Sequence, residues 1–334
     1  MRRRVEPIGD LEQTQTRYSL TPASLYRMKL DYFRFFDDIP TSFPNSFVAT
    51  ILLNYLYYRR DSDCNTFERE MEEVLKKKRD KTIEKEIPTP EIFTFSKPLD
   101  QSLNSFSFYD RVVVEKRLFV EYVLESYFEM SSSLREKIFF YERYQVIREC
   151  IQKHQILKIA VPNADGTVLK IEYQPYLLDA DENSHFYYLG GLSRLCNSDS
   201  EYQIFATKLQ RIQNVCNTKK AFDYNMKYEN ELKKRVARFG IAHLNQSQYE
   251  KIKVALTADG YNRFTKVIVH QRPLPTKVEQ RENQAYPYLL TFQCSAVQIM
   301  SYFFQFADAV EIVEPLSLRK QFADKYQNAA NLYR

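Results

Sequence analysis

At 334 residues the chain is long enough for two or three domains that each bury a core of their own. With 44% hydrophobic residues and 6 glycines it is neither a disordered nor a low-complexity sequence. Its 48 basic and 43 acidic residues leave a net charge of +5, too small an excess to point to nucleic acid unless the charges cluster.

The basic opening, Met1-Arg2-Arg3-Arg4, is followed by polar residues, so no signal peptide is expected. The most apolar run, residues 47–58, contains Asn54 and is too short to span a bilayer, which predicts a cytoplasmic protein with no membrane partner. Cys64, Cys150, Cys196, Cys216 and Cys294 show no Cys-x-x-Cys spacing and read as reduced structural thiols. His154, His185, His243 and His270 are dispersed, so neither a metal nor any other cofactor is expected. The chain has no phosphate loop, nucleophile elbow or His-Glu-x-x-His pair, and the reading is a binding protein, not an enzyme.

In chain order, residues 1–16 read as a tail and 17–150 as a helical domain with a weak internal repeat. Tyr18-Ser19-Leu20-Thr21-Pro22 opens the first unit, which passes through an aromatic helix to one beginning Phe47-Val48. Phe93-Thr94-Phe95-Ser96-Lys97-Pro98 opens the second, whose last helix begins Phe119-Val120. Strand, helix, helix is the order of half a ribbon-helix-helix fold. A lone strand is unstable, so Arg17 to Leu20 is expected to pair with Phe93 to Ser96 inside the chain, making a pseudo-dimer. Residues 67–81, acidic then basic, read as a solvated helix. Leu134, Ile138, Tyr141, Tyr144, Ile147 and Ile151 predict one amphipathic helix leading onward.

From residue 151 to 225, short β-branched and aromatic runs are cut by Asp165-Gly166, by Pro175 and by Asn/Asp/Ser clusters, the pattern of a small all-β barrel. Residues 226–248 read as a basic linker helix. Residues 249–334 read as strand, helix, strand, strand, helix, strand, with the second strand around Ile268 to Gln271 and Ser295 capping the second helix, a ferredoxin-like order. The whole is an α+β protein: ribbon-helix-helix-like domain, SH3/Sm-like barrel, ferredoxin-like domain.

The Pro175-Tyr176 step, the triplet Tyr187-Tyr188-Leu189 and the later Leu209-x-Arg211-Ile212 resemble the WYL domain, an Sm-like barrel of bacterial nucleic-acid-binding regulators. Tyr187 stands in place of the family's Trp. Phe205 stands where many members carry an Arg, a departure from the pattern. Residues 309–319 resemble the C-terminal extension that follows WYL barrels, which implies a homodimer formed through the C-terminal domain. The three-part build, rich in Tyr and poor in Gly, resembles accessories of type VI-D CRISPR systems, which bind RNA and raise the activity of an RNA-guided RNase.

Two functions stay open at this point. Lys158, Lys170, Arg194, Lys208 and Arg211, with Tyr187 and its neighbours Tyr173, Tyr176 and Tyr188, would suit single-stranded RNA: cations for phosphates and rings for bases. The alternative is a ligand-responsive transcriptional regulator whose ribbon places Arg17, Ser19, Thr21, Thr94, Ser96 and Lys97 in the major groove of duplex DNA. Asn45 and Ser46 offer a helix start, as a cap or as a phosphate contact.

Overall fold

The structure is a computed structural model of the chain. It describes residues 14–38, 42–62, 66–79, 91–106, 108–109, 116–163, 165–181, 184–196, 198, 200–244, 250–268, 272–282 and 284–333. The chain is mixed α and β with antiparallel sheets, and it divides into two units, Met1–Gln145 and Val146–Arg334.

The N-terminal unit repeats one pattern twice. Strand β1 (Thr14–Tyr18) leads to helices α1 (Pro22–Phe36) and α2 (Asn45–Ser62), and α3 (Phe67–Arg79) follows. Strand β2 (Glu91–Phe95) leads to α4 (Lys97–Leu103) and α5 (Lys116–Phe128). Each first helix begins the same way: Thr21 accepts from the Ser24 amide and Ser96 from the Leu99 amide, with Pro22 and Pro98 in the first turn where no amide is needed. Each second helix buries residues one, two, five, six and nine of its Phe-Val run, as in Phe47, Val48, Ile51, Leu52 and Tyr55, and these two helices pack together.

The two strands pair antiparallel within the chain, as the repeat predicts, but the register begins earlier than the expected 17–20. Thr14 faces Phe95 and Tyr18 faces Glu91, so β1 starts inside the stretch read as a tail. Tyr18-Ser19-Leu20-Thr21 alternates well enough to pass for a strand, yet the amides of Ser19 and Thr21 are taken by carboxylates of α5. Ser19 N donates to Glu121 Oε1 at 2.9 Å and Thr21 N to Glu125 Oε1 at 2.5 Å. The amphipathic run after Ser131 is also broken: α6 (Ser132–Phe139) ends at Phe140, and α7 (Tyr141–Gln152) starts anew.

In the second unit, β3 (Gln155–Pro162), β4 (Val168–Ala180), β5 (Tyr187–Leu195), β6 (Gln203–Lys208) and β7 (Asn214–Ala221) form one antiparallel sheet in the order β6-β5-β4-β3-β7. Asp165-Gly166 makes the first turn as read, with Gly166 at φ 84° and the Asp165 carboxylate accepting from the Thr167 amide at 2.9 Å. Gly191 is required by a close approach: a Cβ there would stand 2.2 Å from the Gln174 carbonyl oxygen. That approach lies beside the register shift between Pro175 and Leu177, where β4 bends.

Helix α8 (Met226–Phe239) and the short turn Ile241–His243 lie against this sheet. Leu232, Ile241 and Leu244 pack on Tyr176, Leu177, Tyr188, Leu192 and Ala206. The C-terminal part keeps the predicted element order. It comprises β8 (Glu250–Leu256), α9 (Ala258–Asn262), β9 (Lys277–Gln280), β10 (Tyr288–Cys294), α10 (Ala296–Phe303) and β11 (Val310–Glu314), in a sheet ordered β11-β8-β10-β9. Ser295 caps α10 as read, accepting from the Gln298 amide at 3.1 Å. The second strand, however, lies at Lys277–Gln280 and not at Ile268, which follows a widened helical turn, Arg263–Val267; residues 269–271 lie outside the described residues. A helix the sequence reading missed, α11 (Leu316–Asn331), closes the core with Leu318 and Phe322.

Among the described residues the cysteines are free: Cys150 and Cys294 are buried, Cys216 is exposed, and no group of side chains could hold a metal ion. No helix among them is long and apolar enough to cross a membrane.

Candidate nucleic-acid interface

The outer face of the five-stranded sheet has two halves. One lies under α8 and the Ile241–His243 turn. On the other half, strand pairing lays side chains out as a grid. One row runs Cys216, Lys158, Glu172, Arg194 across β7, β3, β4 and β5. The next runs Asn214, Ala160, Lys170, after which the Lys170 carbonyl accepts from the Cys196 amide at 2.9 Å. Side chains two apart on a strand share a face, so Lys158, Lys170, Glu172 and Arg194 stand together.

Their charges are partly spoken for. Arg194 donates from Nε and Nη2 to Glu172 Oε2 at 3.1 and 2.9 Å, and Lys158 Nζ lies 4.0 Å from Oε1. The Glu172 hydrogen bond raises Arg194 above its ordinary value. The guanidinium also lies 4.7 Å over the Tyr202 ring. Glu172 and Tyr202, which the sequence reading did not single out, are therefore part of the site; the cross-strand register that brings them in is invisible in a linear sequence. Among the described residues Lys170 meets no carboxylate, and it is exposed.

The other two cations stand elsewhere. Lys208 faces Tyr188 on β5, six residues from Arg194 or about 20 Å along the strand, and its ammonium sits 4.0 Å from the centre of the Phe186 ring. Arg211, in a 3-10 turn between the buried Leu209 and Ile212, is exposed and donates from Nη2 to the Pro162 carbonyl at 2.7 Å.

The rings are mostly core. Tyr173 is fully buried; its hydroxyl donates to the Leu189 carbonyl at 3.1 Å and also reaches that of Phe205, and burial raises its phenol well above the usual range. Tyr176 and Tyr188 are buried beneath α8. Tyr187, which alternates with Tyr188, is half-buried. Stacking platforms are therefore not supplied by Tyr173, Tyr176 or Tyr188, because helix α8 and the sheet's interior each claim one side of these strands.

On the ribbon of the N-terminal unit, Tyr18, Phe93 and Phe95 point inward, while Gln15, Arg17, Ile92 and Thr94 face out. Of the six residues expected there, Arg17 and Thr94 are on the ribbon. Ser19 and Thr21 bind α5, and Ser96 and Lys97 begin α4, Ser96 as its cap. Asn45 is used inside the unit, its side-chain oxygen accepting from the Thr94 amide at 3.3 Å.

No protein family matches this chain by sequence, and no curated protein does. A solved structure does match. The chain is similar in fold to a CRISPR Cas-related protein. The two superpose with a TM-score of 0.73 over 99% of this chain and 96% of that one, at 18% identity. A second solved structure, proteasome accessory factor B/C of Arthrobacter aurescens, overlaps 70% of this chain and 35% of its own at 12% identity, with a TM-score of 0.28.

Proposed function

We propose that this protein is a non-enzymatic nucleic-acid-binding regulator that takes single-stranded RNA on the open half of its five-stranded sheet and serves as an accessory of a type VI-D CRISPR RNA-guided RNase. The observation that carries the reading is the grid in which Lys158, Lys170 and Arg194 share one uncovered face, on three adjacent strands, while α8 closes the rest. Such a face tracks a phosphate backbone. The end-to-end similarity in fold to a CRISPR Cas-related protein supports the setting. In this reading the sheet is a WYL-type barrel, the strand order β11-β8-β10-β9 is ferredoxin-like, and the C-terminal part holds two copies together.

The test is a titration of labelled single-stranded RNA, single-stranded DNA and duplex DNA over a salt series. Tightest binding to RNA, with an affinity that falls steeply with salt, is the expected result. Preference for the duplex would overturn it. That outcome belongs to a second reading, favoured by the intact intramolecular ribbon, in which Arg17 and Thr94 enter a major groove. Arg17→Ala would then weaken duplex binding and leave RNA binding unchanged.

A further inference from the structure

At the centre of the proposed RNA face stands a carboxylate, and its geometry gives it a role. Glu172 sits on β4 between Lys158 on β3 and Arg194 on β5, in register with both. The Nε–Nη2 edge of Arg194, one of the edges a guanidinium uses to grip a phosphate, is filled by Oε2, while Oε1 faces Lys158. The Tyr202 ring lies under the guanidinium plane and fixes how that edge is aimed. The acid is thus held between two cations, with one oxygen turned to each, where a backbone phosphate bridging β3 and β5 would lie.

We propose that Glu172 is a specificity-determining residue: an internal stand-in for phosphate that occupies Lys158 and Arg194 until a ligand displaces it. Both pairs are partly open to water, with side-chain exposures of 53% for Lys158, 21% for Glu172 and 33% for Arg194, so the exchange needs no unfolding. A polyanion offering only charge must compete with a carboxylate already in place. A strand that also adds base contacts elsewhere on the face displaces it. Lys170, with no such acid, is the contact available from the start. The proposal rests on the reading that this face binds nucleic acid.

Glu172→Gln keeps the shape of the side chain and removes its charge. Full-length wild-type and variant protein are titrated with single-stranded RNA and with duplex DNA of mixed sequence, across a salt series. Each phosphate contact released on a single strand adds about 0.7 to the slope of log affinity against log salt, or about fivefold in affinity at 0.1 M. The variant is expected to bind RNA about fivefold more tightly or better, with the steeper slope, and to gain more for the duplex, so that the preference for RNA narrows. Glu231→Gln, which removes an exposed carboxylate paired with Arg235 on α8, makes the same change in net charge and is expected to leave the slope unchanged.

Wild-type RNA binding with no change in affinity or slope in Glu172→Gln would overturn the proposal and leave the RNA reading standing. Equal gains from Glu172→Gln and Glu231→Gln would reduce the effect to net charge and overturn it likewise. Absence of RNA binding by wild type and variant alike would remove both. Should Glu172→Gln not fold, Glu172→Thr, a good strand former without charge, is read against the same outcomes.

Discussion

Asp31–Arg135 in the N-terminal unit and Glu172–Arg194 in the C-terminal unit both set the Nε–Nη2 edge of a guanidinium against a carboxylate. Asp31 on α1 takes Arg135 Nε at 2.6 Å and Nη2 at 2.9 Å, one on each oxygen, with both side chains buried. The third arm, Nη1, donates to the Met130 carbonyl, and Tyr127 donates to the Arg135 carbonyl at 3.0 Å. Burial raises Asp31 above the ordinary carboxyl range, with Arg135 working against that shift. Glu172 takes both Arg194 donors on one oxygen and remains open to water. The first pair has no substitute for either partner and can only hold α1 to α6. The second can trade its carboxylate for another anion. Burial, not the chemistry of the pair, separates a strut from an exchangeable contact.

The largest expected effect breaks the strut. Asp31→Ala leaves the Arg135 guanidinium buried without its carboxylate and should cost about 3 to 5 kcal/mol, read as a drop in the denaturant midpoint of the N-terminal unit. A loss no larger than that of an exposed pair would abolish the contrast. Next comes the sheet that carries the exchangeable pair. Gly191→Ala drives a Cβ against the Gln174 carbonyl and should destabilise the second unit by about 1 to 3 kcal/mol, with loss of the register that aligns Glu172 and Arg194. Removing one hydroxyl, in Tyr173→Phe, withdraws the donor from the Leu189 and Phe205 carbonyls and should cost about 1 to 2 kcal/mol by the same measurement. Thr21→Ala removes the α1 cap and a contact to Glu125, for about 1 kcal/mol. Smallest of all, Glu172→Gln should leave the unfolding midpoint where it was while changing the binding slope.

Alkaline pH sharpens the same distinction between buried and open groups. Burial pushes the Tyr302 phenol up to about 12 and raises Tyr173 and Tyr127 well above the ordinary value of 10. A phenol whose folded value is raised lends stability that is complete below pH 10 and is lost as the pH climbs toward 12. Absorbance of phenolate should therefore rise first for exposed rings such as Tyr26 and Tyr333, and for the buried set only together with loss of the fold. A single smooth titration of all rings with the fold intact would contradict their burial.

Much of the architecture can be read from residue patterns. The internal repeat announces an intramolecular ribbon, because Thr21-Pro22 and Ser96-Lys97-Pro98 both start a helix and both Phe-Val runs carry the spacing of a buried helical face. Asp165-Gly166 announces a turn and Ser295 a cap. The exact strand is less legible: Tyr18 to Thr21 alternates as a strand should, and only Glu121 and Glu125, about a hundred residues away, claim the amides that end it. The C-terminal helix escaped notice behind Pro315, which was taken as a stop although proline also suits the start of a helix.

For the candidate site, residue type alone picked out Lys158, Lys170 and Arg194, since cations in strands of alternating pattern must lie on a face. It also named Tyr173, Tyr176 and Tyr188, which the fold buries. Alternation divides a strand into two sides but does not tell which side a later helix will cover, and here α8 covers part of the outer one. Nor does it reveal Glu172 as the neighbour of Lys158 and Arg194. What the sequence determined by itself is local: periodicity, turns, caps and the order of elements, which depend on torsion preferences within a few residues. The partnership of Glu172 with two cations, and the burial of three tyrosines, were decided by tertiary structure, because register and layer packing join residues that the chain keeps 14 or more positions apart.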